Sequence, residues 1–239
     1  MIELPKERIK AESKSPRKLL IYSAPKVGKT TVGSMLDNNL MLDFENGATF
    51  LDSMRVHIPD LKVLDEVVKA IVAAGKPYKY GTVDTTTRLE ELVLPYALKL
   101  YKDTPMGANF KGDNVLTLPN GAGYLYLREA YTKISNIIDS LFPRIIYFGH
   151  LKDKVLEKNG KEVSAKDIDL TGKIRNIACA NADAIGYMYR DGKKTMLSFV
   201  TTQDIICGAR PEHLRNREIV ILEEVDGKLV HHWDEIYID

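Results

Sequence analysis

Eight consecutive residues, Ser23-Ala24-Pro25-Lys26-Val27-Gly28-Lys29-Thr30, have the types and spacing to hold a polyphosphate. A loop set between a strand and a helix turns successive backbone N–H groups toward phosphate oxygens, and the positive end of the helix dipole adds to them. Gly28 lets the backbone come close, Lys29 carries a point charge to the oxygens, and the Thr30 hydroxyl can complete the shell of a Mg²⁺ ion. With Thr31, the run from Ser23 is the expected nucleotide-binding loop. Ser23 stands where a first glycine is usual, and a turn that needs positive φ there would be strained. Lys26 adds a second cation with no assigned role.

The elements around the loop are those the chemistry requires. Lys18-Leu19-Leu20-Ile21-Tyr22 reads as a buried strand, and Thr31 to Leu36 opens a helix. Leu40 to Phe44, Lys79 to Asp84 and Arg144 to Gly149 read as further strands. Between them, Leu61 to Ala74, Thr86 to Tyr101 with a kink at Pro95, and Tyr124 to Leu141 have helical periodicity. This alternation predicts an α/β fold, a mostly parallel sheet covered by helices on both faces. Residues 103 to 123, rich in Gly and Pro, form the main loop. Beyond His150 the pattern turns antiparallel. Hairpins are expected around Asn159-Gly160, Asp191-Gly192 and Asp226-Gly227, with a helix over Gly172 to Asn181.

Ligands of open α/β sheets lie beyond the carboxyl ends of the strands, and three of those ends carry Glu45, Asp84 and His150. Asp84 suits a Mg²⁺ ligand and also a helix N-cap, and both roles are compatible. Glu45 can take a proton from, or orient, an attacking water; its alternative is a solvated loop acid. His150 alone reads as a polar residue at a strand end.

Composition narrows the partners. Across 239 residues, 34 Lys and Arg against 33 Asp and Glu leave no global field toward nucleic acid or membrane, so such a partner needs a local patch. Cys179 and Cys207 lack any paired or metal-ligand spacing and read as reduced core thiols of a cytoplasmic protein. No apolar leader and no membrane-length run is visible. The expected organisation is an arm over residues 1 to 17 and one domain over 18 to 239.

The order of the phosphate loop, Leu42-Asp43-Phe44-Glu45-Asn46-Gly47, Val83-Asp84-Thr85 and Ile146-Tyr147-Phe148-Gly149-His150 resembles the RecA-like phosphate-loop ATPase core over residues 18 to 225. More closely, it is similar to compact phage-encoded RecA-like ATPases linked to single-strand annealing and recombination. That resemblance implies ATP and Mg²⁺ as ligands, Glu45 as the residue that activates water, and His150 as a γ-phosphate sensor. His150 stands where recombinases proper often have Gln. It further implies a cytoplasmic setting, the host's if phage-encoded. The implied partners are single-stranded DNA, a single-strand binding protein and further copies of the chain.

The implied DNA surface is residues 151 to 175, where Lys152, Lys154, Lys158, Lys161, Lys166, Lys173 and Arg175 are interspersed with acids. Tyr187 and Tyr189 read as core packing ahead of base stacking. Arg210 is either an arginine finger toward a neighbouring subunit or a surface loop residue. The rival function is a nucleotide-dependent assembly or packaging factor without DNA contact. A small-molecule kinase is disfavoured, because the 103 to 123 loop holds no arginine for a lid.

Overall fold

The computed structural model describes residues 4–11, 13–158 and 161–239, with side chains of 154–164 outside that description. The expected turn at Asn159-Gly160 and the side chains of Lys154, Lys158 and Lys161 therefore lie outside the described residues.

Strand β1 (Lys18–Ser23) feeds the phosphate loop and the short helix α1 (Lys29–Ser34). The chain continues through β2 (Asn39–Asp43), β3 (Arg55–His57), α2 (Leu61–Ala73) and β4 (Tyr80–Asp84). Helices α3 (Thr86–Leu92), α4 (Leu94–Lys102) and α5 (Gly123–Asp139) follow. The remainder comprises β5 (Arg144–Lys158), β6 (Lys161–Ile168), α6 (Gly172–Asn181), β7 (Ala184–Asp191), β8 (Lys194–Ser198), β9 (Gly208–Ala209), β10 (Glu218–Val225) and β11 (Lys228–His231).

The strand order is β11-β10-β8-β7-β1-β5-β4-β2-β3. From β7 to β3 every neighbour pair is parallel, while β8, β10 and β11 extend one side antiparallel. β5 is thus inserted between the loop-bearing β1 and the Asp84-bearing β4. Strand side chains alternate between faces, so β1 serves two cores. Leu20 and Tyr22 pack with Leu89, Leu127 and Tyr147 under α2 to α6, whereas Leu19 and Ile21 pack with Val32, Phe148 and Trp233. The second face is covered by α1 and by the C-terminal segment. Trp233 Nε1 donates to the Val32 carbonyl at 2.9 Å and fixes that segment against α1.

Several expectations shift in detail. The helix from Thr86 is two helices, because Pro95 has no N–H and its ring would crowd the Glu91 carbonyl; the chain turns at Val93 and restarts with Pro95 in the first turn of α4. β3 is an additional parallel edge strand, too short for periodicity to reveal. β5 runs on without a break from the central sheet into the hairpin with β6. The 103 to 123 stretch is not loose throughout. Two 3-10 turns, Val115–Thr117 and Pro119–Gly121, occur in it, and Val115 is buried.

Candidate active site

The phosphate loop has its left-handed backbone at Lys26, with φ 63°, and at Gly28, with φ 115°. Gly28 is required there, since a Cβ meets no neighbour but the backbone conformation is one that L side chains rarely adopt. Lys26, the cation without a role, is a turn position. Ser23 is the last residue of β1 and carries no positive φ, so the strain contemplated at this position does not arise. Its hydroxyl instead accepts from Lys29 Nζ at 2.9 Å, and the Ala24 carbonyl adds a longer contact at 3.3 Å. Lys29 is buried, which lowers its pKa, while Asp84 and Glu45 oppose that shift. The result is a desolvated cation held only by neutral oxygens, which an anionic phosphate can replace with greater Coulomb gain.

Thr30 Oγ1 donates to Asp84 Oδ2 at 2.8 Å. Asp84 is 2% exposed, and burial pushes its carboxyl up to about 6 against the pull of the Thr30 hydrogen bond. A buried carboxylate beside a hydroxyl is a hard-oxygen pair, and the cost of its charge is what a divalent cation offsets. The residues present therefore fit Mg²⁺. The Asp84–Thr85 peptide is cis.

Glu45 follows β2 on a turn built by Asp43. The wholly buried Asp43 carboxylate accepts from the backbone N–H groups of Glu45, Gly47 and Ala48 at 3.1, 3.2 and 3.1 Å. One Glu45 oxygen, Oε1, lies 2.8 Å from His150 Nε2 and accepts from Thr85 Oγ1 at 2.5 Å. Burial opposes charge on Glu45, but these hydrogen bonds and the His150 and Lys29 charges hold its pKa below the usual carboxylate value. A cleft of about 530 Å³, lined by Glu45, His57, Thr87, Arg88 and His150 among others, opens beside this pair. The Thr85 hydroxyl also accepts from the Arg88 N–H and caps α3.

The fold thus brings Lys29, Thr30, Asp84, Glu45 and His150 to the carboxyl ends of four adjacent strands. It does not bring Arg210 there. Arg210 pairs with Asp183 at 3.1 Å, and the Asp183 N–H donates to the Lys18 carbonyl at the start of β1, the end opposite the phosphate loop. Its side chain is 64% exposed, so any contact with a γ-phosphate would be with another copy's. Of the four charges expected to face DNA whose side chains are described, three are occupied: Lys152 pairs with Asp169, Arg175 with Asp167, and Lys166 donates to Tyr187 OH. Tyr187 is buried and stacks on Tyr189 with ring centroids 5.6 Å apart, in line with core packing. Thr85 and Asp43 act in the site without having been singled out. Their signal lay in the sequence: a hydroxyl directly after the strand acid and an acid two residues before Glu45.

A family model described as an AAA domain matches residues 15–210. The chain belongs to this family. Solved structures similar to this AAA domain include a KaiC-like protein from the hyperthermophilic archaeon Pyrococcus horikoshii, 11% identical, with TM-score 0.45 over 90% of this chain and 89% of that one. Another is the RadB recombinase, 10% identical, with TM-score 0.47 over 90% of each chain. No curated protein matches the sequence significantly. The AAA domain has the RecA-like phosphate-loop fold expected from its motifs, mostly parallel with antiparallel strands toward the C-terminus. Among the described residues, no helix is long and apolar enough to cross a membrane.

Proposed function

We propose that this AAA domain binds ATP with Mg²⁺, hydrolyses it, and uses the cycle to control single-stranded DNA binding in phage-type recombination or annealing within the host cytoplasm. The observation that supports this reading is the convergence of Lys29, the Thr30–Asp84 pair and the Glu45–His150 pair at one end of the sheet. The 23 to 31 loop holds the phosphates, with Lys29 exchanging its serine and carbonyl contacts for phosphate oxygens. Thr30 and Asp84 hold the metal, which when bound neutralises charge developing on the phosphates. Glu45 orients the attacking water, with Thr85 fixing the carboxylate. The transition state is loose, so positioning and charge stabilisation carry the catalysis.

His150 links that chemistry to DNA. It contacts Glu45 through its ring and pairs through its backbone with the segment entering α6: the Asp169 N–H donates to the His150 carbonyl at 2.8 Å. A γ-phosphate that draws Glu45 or His150 apart therefore biases the chain that follows. Arg210 from a second copy and a single-strand binding protein complete the proposed assembly.

Two substitutions test the core of this reading. Lys29→Ala should abolish ATP binding in calorimetry, and Glu45→Gln should retain ATP while turnover falls about 100-fold or more. Equal hydrolysis by Glu45→Gln removes that residue from the mechanism. If no single-stranded DNA binding is measurable at low salt with ATP present, the assembly-factor reading replaces the DNA-coupled one.

A further inference from the structure

Away from the nucleotide site, a groove of about 540 Å³ runs between α5 and α6, lined by Tyr124, Leu125 and Arg128 on one side and Thr171, Lys173 and Ile174 on the other. Tyr124 and Leu125 are 49% and 50% exposed, although both begin a helix whose other face is core. A second hollow of about 330 Å³ continues the groove along α5 past Arg128, Glu129 and Lys133. From Gly123 to Asn136 this is about 20 Å of helix, too long for one small molecule and suited to an extended polymer.

The charge on the groove is one-sided. Arg128, Lys133 and Lys173 face a single acid, Glu129. Among the described residues, none of the three cations takes part in a salt bridge, whereas Lys152 and Arg175 of the 151 to 175 segment are paired with acids. Lys133 lies over the Tyr96 ring, so Arg128 and Lys173 are the cations that share the groove with the half-exposed Tyr124 ring. That set is what single-stranded nucleic acid recognition needs: a stacking face that accepts any base and charges that track phosphates.

The groove is also joined to the catalytic end. The Thr171 N–H donates to Glu90 on α3 at 2.9 Å, and Thr87 Oγ1, one turn earlier, donates to the Asp169 carbonyl at 3.1 Å while accepting from the His150 N–H at 3.1 Å. The backbone that leads into Lys173 is therefore tied to the helix capped by Thr85 and to His150 itself.

We infer that the α5–α6 groove binds single-stranded nucleic acid, with a base stacked on Tyr124 and phosphates held by Arg128 and Lys173. This rests on the proposed ATP-linked DNA binding and relocates its contact surface from the β5–β6 hairpin to the groove. The occupant is nucleic acid and not an apolar peptide because cations line the groove with the exposed ring and outnumber acids along the whole strip.

The test is fluorescence anisotropy with a labelled oligodeoxythymidine, in ATP and Mg²⁺, across a salt series, with circular dichroism melts confirming that each variant is folded. Tyr124→Ala should raise Kd about tenfold, and Tyr124→Phe, which keeps the ring, should stay near wild type. The double variant Arg128→Ala/Lys173→Ala should reduce the slope of log K against log salt by about 1.4, two single-strand phosphate contacts. Wild-type binding with Kd and slope unmoved in every variant overturns the groove and leaves the ATP-linked reading standing. A protein helix as the groove's occupant gives that same overturning result. Absence of binding by the wild type fails the ATP-linked reading itself, and the groove with it.

Discussion

At the level of single side chains, one carboxylate oxygen carries most of the site's logic. Glu45 Oε1 is shared by Thr85 and His150, so two donors compete for the atom that would receive a proton from water. Thr85 serves two purposes at once, since the same hydroxyl caps α3. Thr85→Val should therefore cost about 1 kcal/mol in urea unfolding through loss of the cap. It should also lower ATP turnover without changing ATP affinity, read by calorimetry on the same sample. A drop in affinity equal to the drop in turnover would place Thr85 in binding and not in orienting Glu45. Asp43 is the support behind Glu45. Asp43→Ala takes the acceptor from three backbone donors, that of Ala48 buried and those of Glu45 and Gly47 partly so, and an unfolding cost of about 3 kcal/mol is expected. Neither residue is legible as functional from its own type. Asp43 acts on backbone two to five positions away and Thr85 on a carboxylate 40 positions away, whereas Lys29, Thr30 and Asp84 sit in patterns whose spacing already encodes the geometry.

At the level of elements, the strands next to the phosphate loop were the readable part, because buried parallel strands are continuous apolar runs bounded by turn residues. β3 leaves no signal in the sequence, since three residues with exposed ends show no period. The pattern after Asp84 predicts one helix kinked at Pro95, whereas the break falls two residues before it, where the missing donor and the ring act. The α5–α6 groove was invisible for a different reason: it joins residues about 50 positions apart, and only tertiary packing sets Tyr124 beside Lys173. Packing also explains how the short α1 persists. Six residues make a marginal helix, but the Trp233 ring covers it and hydrogen-bonds the Val32 carbonyl. Trp233→Ala should cost about 3–5 kcal/mol. Trp233→Phe, which keeps most of the apolar area, should cost less and weaken ATP binding through a looser α1. Unchanged ATP affinity in both variants would show that the phosphate loop needs no brace from the C-terminal segment.

At the scale of the whole molecule, the two ends of the sheet differ in what they can offer a neighbour. The cleft beside Glu45 and His150 opens at the carboxyl end, and the exposed Arg210 lies at the opposite end. A head-to-tail contact between copies is the arrangement in which Arg210 could serve a second nucleotide. If Arg210 acts across such a contact, mixing Arg210→Ala subunits into wild type should depress activity per wild-type subunit. Specific activity that simply scales with the wild-type fraction would return Arg210 to its pairing with Asp183. Ligand binding to the folded state should also raise the melting temperature as ATP and Mg²⁺ are added together, and Lys29→Ala should abolish that rise.

β5 leaves the central sheet at His150 and continues as one strand to Lys158. From Leu151 onward that is about 26 Å of backbone at strand rise, anchored at its base to the residue in contact with Glu45. Such a beam, paired along its length with β6, would act as a lever whose short arm is the His150–Glu45 contact. A tilt too small to disturb the core's packing would sweep its far end through several ångströms, and a load on the far end would press back on the Glu45 carboxylate with mechanical advantage.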